Sequence, residues 1–292
     1  YRATMAAVQA RIVKRSSIFQ SSAGALEYAV AGSGPRLMMI HGTGGGFDQG
    51  LLFAHGLVEA GFQVIAPSRF GYLRSAFPED NSPAHQADVL AELLDYLEID
   101  QIAVAGGSAG ALTAAEFALR HPGRCSHLVL IVPAANLTGR DPVEFTALQS
   151  AVVERVLNSD VWFWSFATLA PQTLLRTLLA TDPSLLARVS PEEQQRADLI
   201  REGLMPISQK TEGLRADGFW AGAPTTTAFE NMTVPTLIVS CEDDLFGTAE
   251  TARLLDNRIP YTRLVVFPDG GHIWLGHDAE LTREIDNFIT AV

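Results

Sequence analysis

The feature that most constrains this chain is a repeated switch in hydrophobic period. Short continuous apolar runs, "RLMMI" (36–40), "FQVIAP" (62–67), "QIAVAG" (101–106) and "HLVLIVP" (127–133), alternate with stretches of helical periodicity at 51–60, 83–97 and 111–120. A strand without polar alternation is covered on both faces, so these runs predict a largely parallel sheet wound by right-handed crossovers. "ALEYAV" (25–30) alternates and reads as a strand with one more polar face. The pattern resumes with "TLIVS" (236–240), a helix around 248–257, "TRLVVF" (262–267) and a final helix from about 279.

Between the two α/β blocks lie roughly 100 residues, 134–233, with helical periodicity and almost no strand signal, where a plain connection needs only about a dozen. The expected organisation is therefore a core formed by 1–133 and 234–292, with 1–17 an N-terminal helix and 134–233 an inserted helical cap. The cap is rich in aromatic residues: Trp162, Phe163, Trp164, Phe166, Phe219 and Trp220. At most about a third of them are expected to face a site, because apolar residues at helical spacing are most often core.

Composition removes several function classes. With 47% apolar residues the chain fills a substantial core. Its net charge is -12, and only Lys14 and Lys210 are lysines among 21 basic residues, so no lysine-rich face is available for phosphates and nucleic acid is not an expected partner. Cys125 and Cys241 lack neighbours at zinc-ligand spacing and read as reduced core residues; no metal is expected. No run of about 18 apolar residues suits a membrane span.

The opening "YRATMAAVQARIVKRSS" is a basic amphipathic helix with Met5, Val8 and Ile12 on one side, read as packed on the domain surface. The chain starts at Tyr1 rather than Met, which suggests that something upstream was removed or left out. Membrane association is expected only through such a segment. A cytoplasmic location is favoured, with an anchored or exported form left open.

The chemistry concentrates where strands end. In Gly106-Gly107-Ser108-Ala109-Gly110 an apolar strand reverses into a helix, and the small residues relieve the close contacts that such a turn imposes. The Ser108 hydroxyl is thereby displayed at the carboxyl end of a parallel strand, where a nucleophile belongs. After "RLMMI" comes His41-Gly42-Thr43-Gly44-Gly45-Gly46, a loop whose N–H groups can face a developing oxyanion together with that of Ala109. It lacks the Gly-Lys-Ser/Thr ending of a phosphate-binding loop. After "TLIVS" comes Cys241-Glu242-Asp243-Asp244, and after "TRLVVF" comes Pro268-Asp269-Gly270-Gly271-His272. A serine hydroxyl is nearly inert at neutral pH; it needs an imidazole to take its proton and a carboxylate to orient that imidazole.

These motifs, in the order serine, acid, histidine, resemble the α/β-hydrolase superfamily from about residue 25 to the end of the chain. "SRFGYLRS" (68–75) stands where that family usually has Asp-Arg-x-Gly-x-Gly-x-Ser, with Ser68 in place of the aspartate. The resemblance implies a mostly parallel, doubly wound sheet with a helical cap, Ser108 as nucleophile, His272 as base and Asp244 as acid, with Asp243 the alternative. It implies oxyanion N–H groups from Thr43 and Ala109, or from Gly44 if the loop runs differently. Trp164 and Trp274 are the expected substrate-lining residues.

His41 is expected to brace the oxyanion loop and His121 to end a helix; His85 and His277 show no convincing partner. Arg69, Tyr72 and Arg74 are read as bracing the loops rather than binding a substrate carboxylate. The implied activity is hydrolysis of carboxylic esters or lactones of modest size through an acyl-enzyme, with a small-molecule substrate and no metal or organic cofactor. Carbon–carbon bond hydrolysis or other cofactor-free chemistry on the same residues, and noncatalytic ligand binding, are the alternatives. Self-association is left open.

Overall fold

The computed structural model describes residues 1–135, 137, 158–224 and 226–291. Its centre is an eight-stranded sheet, β1 (Ser17–Ser21), β2 (Gly24–Ala31), β3 (Arg36–Ile40), β4 (Gln63–Pro67), β5 (Ile102–Gly107), β6 (Cys125–Ile131), β7 (Thr236–Cys241) and β8 (Thr262–Phe267), in the order β1-β2-β4-β3-β5-β6-β7-β8. β1 and β2 pair antiparallel, as do β2 and β4; the remaining pairs are parallel. The carboxyl ends of β3, β4, β5, β7 and β8 therefore share one edge, and the motifs singled out above follow those ends.

Alternate residues of each strand feed two separate layers. Met38, Ile40, Val104, Leu128, Leu130 and Ile238 face one layer, where they meet Leu93 and Leu94 of α4 (Pro83–Tyr96), Phe117 of α5 (Gly110–Arg120) and Leu255 of a later helix (Thr248–Asp256). Leu37, Met39, Val129, Ile131, Leu237 and Val239 face the other, against Leu57, Leu281 and Ile285. This double coverage explains the continuous apolar runs. α4 starts where its sequence provides a stop for the chain's orphan donors: Ser82 accepts from the His85 N–H and Pro83 opens the helix.

Two elements differ from the sequence reading. The helical stretch foreseen at 51–60 is two short helices, α2 (Phe47–Phe53) and α3 (His55–Glu59), broken at Ala54. Strand β1 was not foreseen, because "SIFQS" has no buried residue and no apolar run; it exists through its register with β2, Ser17 opposite Tyr28 and Ser21 opposite Gly24. The first helix, α1 (Arg2–Arg15), buries Val8 and Ile12 against Ala29, Phe47 and Ala66. At about 1.5–3 kcal/mol for each such side chain, this burial outweighs anything the exposed basic face contributes.

Between β6 and β7 the described residues form α6 (Asp160–Leu169), α7 (Pro171–Thr177), α8 (Pro191–Glu202) and α9 (Thr211–Gly222), with 3₁₀ turns at Pro183–Arg188, Ile207–Gln209 and Phe229–Asn231. Residues 136, 138–157 and 225 of the expected insertion lie outside the described residues. The helices after β7 and β8 are α10 (Thr248–Asp256) and α11 (Asp278–Thr290). Phe163, Leu174, Ile200, Leu204, Met205 and Ile207 of the inserted helices share an apolar cluster with Ile273 and Leu275, which flank the histidine turn.

Candidate active site

Ser108 occupies the left-handed region at φ 52°, a conformation that side chains other than glycine seldom adopt. The turn needs its glycines: a Cβ on Gly106 would lie 2.4 Å from the Gly110 carbonyl oxygen, and one on Gly110 would lie 2.5 Å from the carbonyl oxygens of Ile40 and His41. The Ser108 N–H is held by the Ile131 carbonyl at 2.9 Å, so the strained residue is fixed from the neighbouring strand.

His272 Nε2 lies 2.8 Å from Ser108 Oγ, and its Nδ1 lies 2.8 Å from Asp244 Oδ2. Asp244 is thus the acid that meets the imidazole. Asp243 instead accepts from the Gly271 N–H at 2.8 Å and fixes the backbone before the histidine. Burial alone would raise the Asp244 carboxyl, but the His272 ring, the Thr248 hydroxyl and the Phe246 N–H outweigh it and hold the group below the ordinary carboxylate range. With the carboxylate on Nδ1, the ring presents Nε2 to the serine as an acceptor, the arrangement in which a hydroxyl proton can be taken up.

The loop after β3 presses on the serine: a Cβ on Gly42 would lie 3.0 Å from Ser108 Cβ. His41 is buried, its Nδ1 2.7 Å from the Gly42 carbonyl and its Nε2 accepting from the Arg69 N–H at 2.9 Å. Those two contacts place the ring proton on Nδ1. Burial, with the charge of Arg69, keeps this imidazole well below its usual pKa, so it is neutral and braces the loop as expected. Neither the Thr43 nor the Ala109 N–H has a hydrogen-bond partner among the described residues, whereas the Gly44 N–H donates to Tyr72 Oη at 3.3 Å.

Arg69 and Tyr72 both end on Asp217 of α9, Arg69 as a two-pronged pair at 2.5 and 2.6 Å and Tyr72 through its hydroxyl at 2.6 Å. Arg74 pairs with the buried Glu27 at 2.7 Å. All three side chains brace loops. Burial and the Asp217 charge push the Tyr72 phenol well above its usual value, so it remains a donor.

The structure corrects two expectations, the lack of partners for His277 and for His85. Trp274 packs in the core, 1% exposed, donating Nε1–H to Asp278 at 3.0 Å and carrying the Arg196 guanidinium over its ring at 5.4 Å. His277 has partners, contacting Asp269 at 2.9 Å and Glu280 at 3.2 Å and stacking on Phe267. His85 approaches the Asp80 carbonyl at 2.6 Å. Trp164 is half-buried in the helical cluster, edge-on to Tyr1. His121 ends α5 and meets Asp88 at 2.8 Å.

Sequence reasoning missed the residues that reach the site from the inserted helices. Thr181 Oγ1 accepts from the His272 N–H at 3.0 Å, Arg196 donates to the carbonyl of Ile273 at 2.8 Å, and Lys210 Nζ donates to that of Gly44 at 2.9 Å. Only the rarity of lysine marked Lys210 beforehand. Thr248, which bonds Asp244, begins α10 after Gly247 in the left-handed region. No group of three or more metal-ligating side chains occurs among the described residues, and no described helix is long and apolar enough to cross a membrane.

A family model described as alpha/beta hydrolase fold matches residues 35–276. An uncharacterised hydrolase of Bacillus subtilis (strain 168) is 26% identical over 270 residues, 90% of this chain and 93% of the relative. The 2-hydroxymuconate semialdehyde hydrolase of Pseudomonas sp. (strain CF600) is 26% identical over 270 residues, 89% of this chain and 88% of the relative. Among solved structures, an esterase from Exiguobacterium antarcticum superposes with a TM-score of 0.72 at 19% identity, over 94% of this chain and 99% of that one.

Proposed function

The chain belongs to the alpha/beta hydrolase fold family, and from that premise we propose that it is a serine hydrolase cleaving carboxylic esters or lactones of modest size through an acyl-enzyme. The observation that carries the reading is the pair of 2.8 Å contacts linking Ser108 Oγ, His272 and Asp244. His272 takes the serine proton as Oγ attacks the carbonyl carbon, and the carbonyl π pair moves to oxygen. The N–H groups of Thr43 and Ala109 receive that oxyanion. Its collapse expels the alcohol, protonated by His272, and water attacks the acyl-enzyme by the same route in reverse.

The surroundings favour a neutral, apolar acyl group. Arg69, which was considered as a carboxylate binder, is taken up by Asp217. Three apolar side chains lie close to the reacting residues: Phe246 edge-on to His272, Phe53 against Gly107, and Leu204 against Gly44. In this reading residues 134–233 act as a cap that shields the acyl-enzyme from bulk water. The route calls on no metal or organic cofactor.

The test is a chain-length series of aryl esters and lactones assayed with the native protein and Ser108→Ala. Turnover of the native protein, reduced by about 10⁴-fold or more in the variant, is expected. Equal rates in the two proteins contradict it. A second reading, carbon–carbon bond hydrolysis, draws on the Pseudomonas relative. It predicts poor turnover of every simple ester and efficient cleavage of a vinylogous diketone.

A further inference from the structure

The glycine loop beside Ser108 is held from two directions, and one of them is the inserted helices. Gly42 is fixed from the core, its N–H by Gln49 Oε1 at 3.0 Å and its carbonyl by His41 Nδ1 at 2.7 Å. Two residues on, Gly44 is fixed by one residue of the core and one of the insertion, its N–H by Tyr72 Oη at 3.3 Å and its carbonyl by Lys210 Nζ at 2.9 Å.

A peptide unit is planar and trans, so its N–H and C=O point in opposite directions. Holding the Gly42 carbonyl sets the direction of the Thr43 N–H. Holding the Gly44 N–H sets that of the Thr43 carbonyl. Thr43 is thus a residue with little freedom left, clamped between two fixed planes.

The insertion-side clamp is built into α9. Gly213 and Asp217 are four residues apart and share a helix face. A Cβ on Gly213 would lie 2.2 Å from the Tyr72 ring, so the glycine lets the ring lie against the helix and its hydroxyl reach Asp217 at 2.6 Å. Lys210, just before α9, is fully buried and also donates to the carbonyl of Gly203, which ends α8. A buried ammonium is expensive, and a methyl-terminated side chain would fill the same space at lower cost.

We propose that Lys210, Tyr72 and Asp217 are positioning residues: they hold the Gly44 end of the loop, so that Thr43, whose N–H direction is set by the core-held Gly42 carbonyl, keeps that N–H on the oxygen that turns negative when Ser108 attacks, and the inserted helices thereby back one wall of the oxyanion hole. The proposal rests on the serine-hydrolase reading above. It assigns the insertion a part in transition-state binding as well as in covering the site.

The experiment compares native protein, Lys210→Met, Tyr72→Phe and Ser108→Ala on p-nitrophenyl butyrate, and measures inhibition by an aryl trifluoromethyl ketone. Ser108 Oγ adds to that ketone carbon, the proton passes to His272, and the resulting hemiketal oxyanion occupies the hole. Lys210→Met and Tyr72→Phe are each expected to lower kcat about 10–100-fold with KM within about 3-fold, and to weaken the ketone by the same factor as kcat/KM. Tyr72→Phe removes one oxygen atom and serves as the second, conservative variant should Lys210→Met not fold. Native kcat and ketone affinity in the folded variants overturn the proposal, as does a lowered kcat with ketone affinity unchanged. Should native protein and Ser108→Ala behave alike on both compounds, the serine-hydrolase reading falls and this inference with it, an outcome distinct from the failure of the clamp alone.

Discussion

On one side of Ser108 a buried carboxylate, Asp244, faces an imidazole; on the other, Asp217 faces a guanidinium. Both are largely closed to solvent, yet the partners differ in what they can do. An imidazole can both accept and release a proton, so on the proposed reading the Asp244 pair takes part in proton transfer. A guanidinium stays charged, so the Asp217 pair is permanent and planar, suited to holding the Arg69 and Tyr72 segment in one place. On the proposed reading the difference separates a side that moves protons from a side that holds geometry.

The largest test of that difference is Asp244→Asn. The amide keeps the shape but reverses which nitrogen of His272 is protonated, and kcat is expected to fall about 10⁴-fold, near 5.5 kcal/mol in activation free energy, in steady-state ester hydrolysis. Loss of less than tenfold would show that the two carboxylates are equivalent. Arg69→Met acts on the other side: it strands Asp217 without its buried partner, and urea denaturation is expected to show about 3–5 kcal/mol of lost stability. Adding Asp217→Leu to Arg69→Met should recover most of that loss, since the uncompensated charge is then gone.

Acidification sharpens the comparison further. In the folded protein His41 is kept neutral by burial and by Arg69, while the unfolded chain takes up a proton near pH ~6.5. The unfolded state therefore binds more protons below that value, and stability falls as pH drops through it towards the lowered folded pKa. Partly buried His127, also lowered by burial, adds to the slope. Asp244 acts at lower pH: its stabilising contribution is present above ~3.9 and disappears as pH falls through its depressed folded value. Urea midpoints between pH 7.5 and 5 should decline in the native protein and decline less in His41→Gln. The smallest expected effect is a control, Asp88→Asn, which breaks a half-exposed pair with Arg120 and should change stability by no more than about 1 kcal/mol.

The proton-moving side was legible in the sequence because local backbone demands write it there. The glycines around Ser108 are required by contacts within a few ångströms, and the acid and histidine follow strand ends that apolar runs reveal. The sheet itself was legible for the same reason, except for β1, whose polar residues are ordered only by pairing with β2. The geometry-holding side was not legible. Asp217 and Lys210 come from a segment whose placement depends on tertiary packing, and nothing in a one-dimensional pattern ties position 210 to position 44. Trp274, expected to line the substrate site, packs into the core beneath Arg196, a placement set by tertiary packing that no local pattern shows.

The central claim is that His272 activates Ser108. Its most direct test is intact-protein mass spectrometry after brief treatment with a fluorophosphonate, followed by peptide mapping. One adduct on Ser108 is expected in the native protein, formed orders of magnitude more slowly in His272→Gln and not at all in Ser108→Ala. An unlabelled Ser108 in a protein that still hydrolyses esters, or equal labelling rates in native protein and His272→Gln, would contradict the account.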